Sequence, residues 1–248
     1  MAELSRAVTL SVRSADAVVA AATTHASTVR GALSKTLGAG AGDAAVVLLQ
    51  AGATSLKGSK ETLLSAETAH VIELSDDIPV RKERDAARVA LREELVRLRP
   101  TVEAAAGVDY LARIGLLGIT PDDPSEMQRQ AAVVSAGLRR EALPPSLLPG
   151  YALPAAELAT RLDEKARRMG AAMEAINREA KENQETLQKR DRALAEFNTV
   201  FRAVANLTSV LLASGGEDGL AARVRPSARR PGQTEEVANT TGAEVDGV

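Results

Sequence analysis

The chain has 248 residues, 33 acidic and 31 basic side chains, and a formal charge of −2. At about 150 residues per domain, that length fits one large domain or two small ones. The absence of cysteine excludes disulfide frameworks, thiolate metal sites and cysteine nucleophiles, and 45% hydrophobic content excludes wholesale disorder. Alanine supplies 47 residues, tryptophan none, and none of the four aromatic residues precedes Tyr110. This composition predicts an Ala-rich, all-α protein.

Leu4, Val8, Ser11, Ala15, Val18, Ala22, His25, Val29 and Leu33 alternate by four and three, which predicts a first helix from Ala2 to about Leu37. Its seam is mostly small, so it gains less from burial than a leucine seam and allows a closer neighbour. Gly38-Ala39-Gly40-Ala41-Gly42 reads as a break, with Asp43 capping the next helix. That second helix, Ala44 to about Leu74, carries Ala45, Leu49, Gly52, Leu56, Ser59, Leu63, Ala66 and His70. Ser75-Asp76-Asp77-Ile78-Pro79 has acids and a proline where a helix starts. A third helix then runs from Pro79 to about Leu117, with Pro100 kinking it and Gly118 ending it.

Thr120 to Glu126 is the clearest punctuation: Asp123 as N-cap, Pro124 at the first position and Glu126 as capping-box partner of a helix ending near Ala142. Pro144, Pro145, Pro149, Gly150 and Pro154 make an extended linker. From Ala155 to Ser214 there is no proline, and Leu162, Ala166, Met169, Met173, Ile176, Ala180, Asn183, Leu187, Arg190, Leu194, Phe197, Phe201, Val204, Thr208 and Leu211 hold four-three spacing. Seven heptads predict one very long coiled-coil-like helix. Asp163–Arg167, Glu164–Arg168, Glu174–Arg178 and Glu185–Lys189 would support it as i,i+4 pairs. Gly215-Gly216 stops it, Glu217 to Val224 can add two turns, and disorder is expected beyond Arg225.

The expected organisation is an N-terminal helical region 1–143, a linker 144–154, a long helix with a short cap 155–224 and a disordered tail 225–248. The architecture is a bundle of long antiparallel helices. An internal duplication of a helix-hairpin unit also bears on it. Lys82-Glu83-Arg84-Asp85 resembles Gln188-Lys189-Arg190-Asp191, and the same slide matches Ala87 with Ala193, Leu91 with Phe197, Leu95 with Phe201 and Leu98 with Val204. After a three-residue shift, Asp109-Tyr110-Leu111-Ala112 meets Asp218-Gly219-Leu220-Ala221.

Chemistry finds little foothold. Glu67-Thr68-Ala69-His70 is the E-x-x-H of carboxylate-bridged metal bundles, but His25 has Ala22, not an acid, three residues before it. The expected reading is a seam His70 bonded to a neighbouring helix, with His25 able to meet it across an interface. No nucleophile elbow, phosphate loop or dinucleotide fingerprint occurs, and no catalytic, metal or cofactor residue is assigned. Arg81, Arg84, Arg88, Arg92 and Arg99 form one basic stripe, and Arg223, Arg225, Arg229 and Arg230 a second, acid-free cluster. The first is a groove for a polyanion or acidic partner, or a solvated face paired with acids of a neighbouring helix; the second binds nucleic acid or anionic lipid, or is a solubilising tail. Asn183 and Arg190 are polar seam residues that either fix register or face solvent.

Met1-Ala2-Glu3-Leu4 lacks a basic n-region, and no long apolar run occurs, so a cytoplasmic protein without membrane spans is expected. The function expected is a non-enzymatic helical scaffold or interaction protein, its partner another protein or a second copy held through helical seams. The alternative is a peripheral membrane-surface or polyanion-binding protein using the Arg clusters. Sequence-specific nucleic-acid recognition is not expected, because no aromatic residues interleave the bases.

Overall fold

The computed structural model describes residues 4–238. It contains α1 (Arg6–Thr24), α2 (Ala26–Leu37), α3 (Ala39–Ala106), α4 (Val108–Arg113), α5 (Pro124–Arg140), α6 (Ala155–Ser214) and α7 (Asp218–Val224). A further helical stretch begins at Glu235. Helix makes up 82% of the described residues, and the β pairing among them is an isolated Pro226–Thr234 bridge. The protein is therefore all-α, and it has two very long helices rather than one: α3 spans 68 residues and α6 spans 60.

The extra length comes from breaks that do not occur. Pro79 and Pro100 both lie inside α3. Each proline removes a backbone hydrogen bond and crowds the preceding turn, at a cost of about 3 kcal/mol. The seam continues past both of them, with Leu98, Val102 and Ala105 buried around Pro100 and Leu63 and Ala87 on either side of Pro79. Around Pro100, burial along the seam outweighs the local penalty; around Pro79 no apolar side chain is buried between Leu63 and Ala87, and burial does not explain the continuity there. The glycine run breaks the chain only at Gly38, whose φ of 97° is left-handed; Gly40 and Gly42 are helical. Asp43 pairs with Arg30 at 2.7 Å instead of capping. The first predicted helix divides at His25 into α1 and α2, and the third ends at Gly107 (φ 81°), not Gly118. The Asp123 cap holds: its Oδ1 accepts from the N–H groups of Ser125 and Glu126, both at 2.9 Å.

Cα proximity divides the chain into two units, Met1–Leu74 with Asn183–Val248, and Ser75–Glu182. The segment 144–154 is thus no domain boundary. It lies within unit two, where the Leu147 N–H donates to Ala105 O at 2.9 Å and Leu153 is buried.

In unit one, α1 packs on the N-terminal part of α3 and the C-terminal part of α6. Val8, Val18, Val29, Leu49, Leu56, Leu63, Phe197 and Phe201 form the centre of its core. The two phenylalanine rings stack at 5.8 Å. The tail expected to be disordered folds here as far as residue 238. The Thr234 N–H donates to the buried Ser14 Oγ (3.1 Å), the Glu235 N–H donates to Arg225 O (2.9 Å), and Val237 and Ala238 are buried. Polar composition hid it, because it is held by a turn closed on itself, with Ser227 and Glu235 N–H donating to Gln233 and Arg225 O, and by one bond to α1. Residues 239–248 of the expected tail lie outside the described residues.

In unit two, α5 packs on the C-terminal part of α3 and the N-terminal part of α6. Leu91, Leu95, Tyr110, Ile114, Met127, Val134, Leu158 and Leu162 form its centre. Gln128 Nε2 donates to Ala166 O (3.0 Å), and Arg139 pairs with Asp163. Asp163 and Arg168, expected to pair within α6, thus reach across: Arg168 donates twice to Glu83 of α3, at 2.7 and 2.8 Å.

Candidate interaction surface

Within unit one, α3 and α6 run antiparallel and are tied on the α1 side by a buried polar node. Glu67 Oε2 accepts from Arg190 Nε at 2.8 Å, and Glu67 Oε1 accepts from the Ser5 N–H at the start of α1 (2.9 Å). Burial pushes this carboxyl up, but the hydrogen bonds and charge from Ser5 and Arg190 outweigh it and hold the carboxyl below the ordinary glutamate range. One turn on, His70 Nδ1 lies 3.1 Å from Thr186 Oγ1. Glu67 and His70 therefore do not converge on one ligand; each is engaged by α6. The seam Arg190 meets a buried acid, and its position on the stripe gave the signal, although Glu67 as its partner went unread. His25 and His70 do not pair, since His25 Nδ1 lies 3.7 Å from Glu217 Oε1.

The first Arg cluster is largely engaged, and the second through Arg223. Arg81 pairs with Asp77, Arg84 with Asp85 and Arg92 with Asp122, while Arg99 Nε donates to Leu116 O. In the second cluster, Arg223 holds Glu236 by two bonds of 2.7 and 2.9 Å. The fold thus returns the tail's own acid to its bases. That bond pulls the Glu236 carboxyl below its ordinary range, with burial opposing.

The opposite face of the unit-one hairpin is uncovered. On α3, Ala44, Leu48, Ala51, Ser55, Gly58, Thr62, Ser65, Ala69 and Ile72 follow strict four-three spacing, and all are exposed. On α6, Lys189, Arg192, Glu196, Thr199, Ala203, Asn206 and Val210 do the same. Such spacing marks a helical contact face. Between the two stripes lies a groove of about 680 Å3, floored by Gly58, Thr62, Ala66 and Ala193 and rimmed by Glu61, Lys189, Arg192 and Glu196. Among the described residues these four rim charges make no ion pair, unlike most members of the Arg81–Arg99 stripe. At one end, Leu48 is 49% and Val210 63% exposed.

Sequence reading found the buried α3 seam and missed this second stripe one residue out of phase. Alanine, serine, glycine and threonine carry too little hydropathy to announce a face; only their period does.

No protein-family model, curated protein or solved structure matches the chain. Among the described residues, no helix is long and apolar enough to cross a membrane.

Proposed function

We propose that this chain is a non-enzymatic, cytoplasmic helical scaffold that acts through helix–helix contacts, its partner seated on the uncovered α3–α6 face of unit one. The observation that carries this reading is the pairing of two exposed heptad stripes with a rim of unpartnered charges. Small side chains let a third helix approach closely, and the rim charges give it orientation more than affinity. The engagement of Glu67 by Arg190 and of His70 by Thr186 supports a structural role for the E-x-x-H pair.

A photo-crosslinking residue at Thr62 tests this in the cells that make the protein. A discrete adduct is expected from Thr62 and none from the same residue at exposed Glu103 of unit two. The adduct should vanish when Ala69→Arg blocks the groove. No adduct at Thr62, or one indifferent to Ala69→Arg, would overturn the reading.

A further inference from the structure

The charge order on this face identifies its occupant. Glu67 meets Arg190 and His70 meets Thr186, so the antiparallel helices place Thr62 level with Glu196 and Ala69 level with Lys189. Glu61 and Glu196 therefore sit at one end of the groove, and Lys189, with Arg192 a turn from Glu196, towards the other. The face is neutral in sum and polar along its length. A copy laid on it in the same direction puts α6 on α3 and sets Glu61 of each against Glu196 of the other, acid on acid. A copy turned about a twofold axis perpendicular to the helices sets each acid end on the other's basic end.

We infer that the occupant is a second copy of this chain, docked antiparallel through the unit-one α3–α6 face, with α6 laid on α6 so that Arg192 of each copy answers Glu196 of the other. This rests on the reading of that face as a helix-docking surface.

Unit two provides the contrast. In the register that pairs Leu91 with Phe197, Thr62 corresponds to Arg168 and Lys189 to Glu83, and there Arg168 and Glu83 close on each other in two hydrogen bonds. Gly58 likewise corresponds to Glu164. Unit two settles these positions inside one chain. At those places unit one has Thr62, Gly58 and Lys189, so Lys189 keeps a charge that no residue of the opposite helix answers.

The size of the face sets the strength. The overlap from Ser55 to Ile72 is about 25 Å long, and two helices are about 20 Å wide, giving roughly 500 Å2 per copy. The total of about 1,000 Å2 is at the lower end of specific interfaces, so the dimer is a reversible one. Closely packed small residues and two sets of charge pairs hold it, and Ile72 at its edge is the one large apolar side chain of the α3 stripe there.

Sedimentation equilibrium of the full chain over roughly a hundredfold concentration range should show a reversible monomer–dimer equilibrium. Arg192→Glu alone and Glu196→Arg alone should each weaken the dimer by about a hundredfold, because like charges then face each other. Equimolar mixing of the two variants should restore a dimer containing one of each, since every reversed charge again meets its opposite. Circular dichroism on each variant confirms retained helix. A wild-type monomer throughout, single variants that still dimerise, or a mixture that stays monomeric would overturn the inference. The Thr62 cross-link separates this from the underlying reading. An adduct with the mass of two chains supports both, an adduct of any other mass overturns only the second copy, and no adduct overturns both.

Discussion

The two units solve one packing problem with different materials. In the register that sets Leu91 on Phe197, α3 and α6 bury matching positions: Ala53 and Ala159, Leu56 and Leu162, Leu63 and Met169, Leu95 and Phe201, Leu98 and Val204. The covering helices match as well. Ser11, Ala15, Val18, Val19, Ala21 and Ala22 of α1 are buried in the pattern of Met127, Ala131, Val134, Ser135, Gly137 and Leu138 of α5. Yet the described core of unit one contains nine alanines and five leucines, against six and nine in unit two. Unit one makes up for short side chains with close approach and polar ties. Gly52 leaves room for Val204, whose Cγ1 is 3.2 Å from where a Cβ would stand, and Ser14, Glu67 and Ser209 make buried hydrogen bonds. Equivalent architecture therefore does not require equivalent burial.

The largest effect should come from the one place where unit one is bulky. Phe201→Ala should cost about 3–5 kcal/mol by urea denaturation, because it empties a fully buried site and removes the stack on Phe197. Leu95→Ala, its counterpart in unit two, should cost about 2–5 kcal/mol. A near-neutral Phe201→Ala would show that alanine packing alone holds unit one, and the contrast would fail.

Each unit also buries one glutamate reached by an arginine from the opposite long helix. Arg190 is 23% exposed where it meets Glu67, and Arg161 is 56% exposed where it meets Glu94. Glu67→Ala leaves Arg190 Nε and the Ser5 N–H without their acceptor, while Arg190 Nη1 keeps Asp191 at 3.3 Å, and should cost about 3 kcal/mol. Glu94→Ala should cost about 1–2 kcal/mol, because Arg161 returns to water. Equal losses would mean that the drier surroundings of Arg190 do not matter.

Acid should act on the same contrast. The Glu67 carboxyl is held below its unfolded value of about 4.3, so the folded state keeps its charge where the unfolded chain binds a proton. Its contribution is therefore complete above about pH 4.3 and is lost as pH falls through the lowered folded value. Amide exchange at the start of α1, which hangs on Glu67 through Ser5, should quicken in that window. Glu67→Gln should abolish the pH dependence there. Unchanged dependence in the variant would assign the acid sensitivity to other carboxylates.

What was legible in the sequence depends on where each signal acts. The limits of α6 and the Asp123 cap depend on neighbours in sequence, and both were read correctly. The passage of α3 through Pro100 depends on burial against other elements, which a local rule for proline does not see. The repeat between Arg84-Asp85 and Arg190-Asp191 pointed to a shared register along the long helices. Its extension was one residue out: α4 starts at Val108 and α7 at Asp218, and buried Tyr110, Leu111 and Ile114 match Leu220, Ala221 and Val224, so Tyr110 and not Leu111 answers Leu220. Chance identity in Asp-x-Leu-Ala drew the alignment off the helix phase. The candidate face was least legible, since exposure of a small-residue stripe is a property of the packed hairpin.

The smallest effects should separate glycines that permit packing from glycines that merely weaken a helix. Gly42 lies where α3 passes α2, and a Cβ there would stand 2.6 Å from Arg30 O. That oxygen is backbone, so the two helices must separate, and Gly42→Ala should cost about 1–3 kcal/mol. Gly31 is exposed in the interior of α2 with nothing near an added Cβ. Its freedom in the unfolded chain is a pure loss on folding, so Gly31→Ala should stabilise by about 0.5–1 kcal/mol. Opposite signs, read as shifts in the same urea midpoint, would show that close approach in unit one is built from specific glycines. If Gly42→Ala were neutral or stabilising, α2 would yield to α3 without strain, and close approach would no longer explain how an alanine-rich core holds its shape.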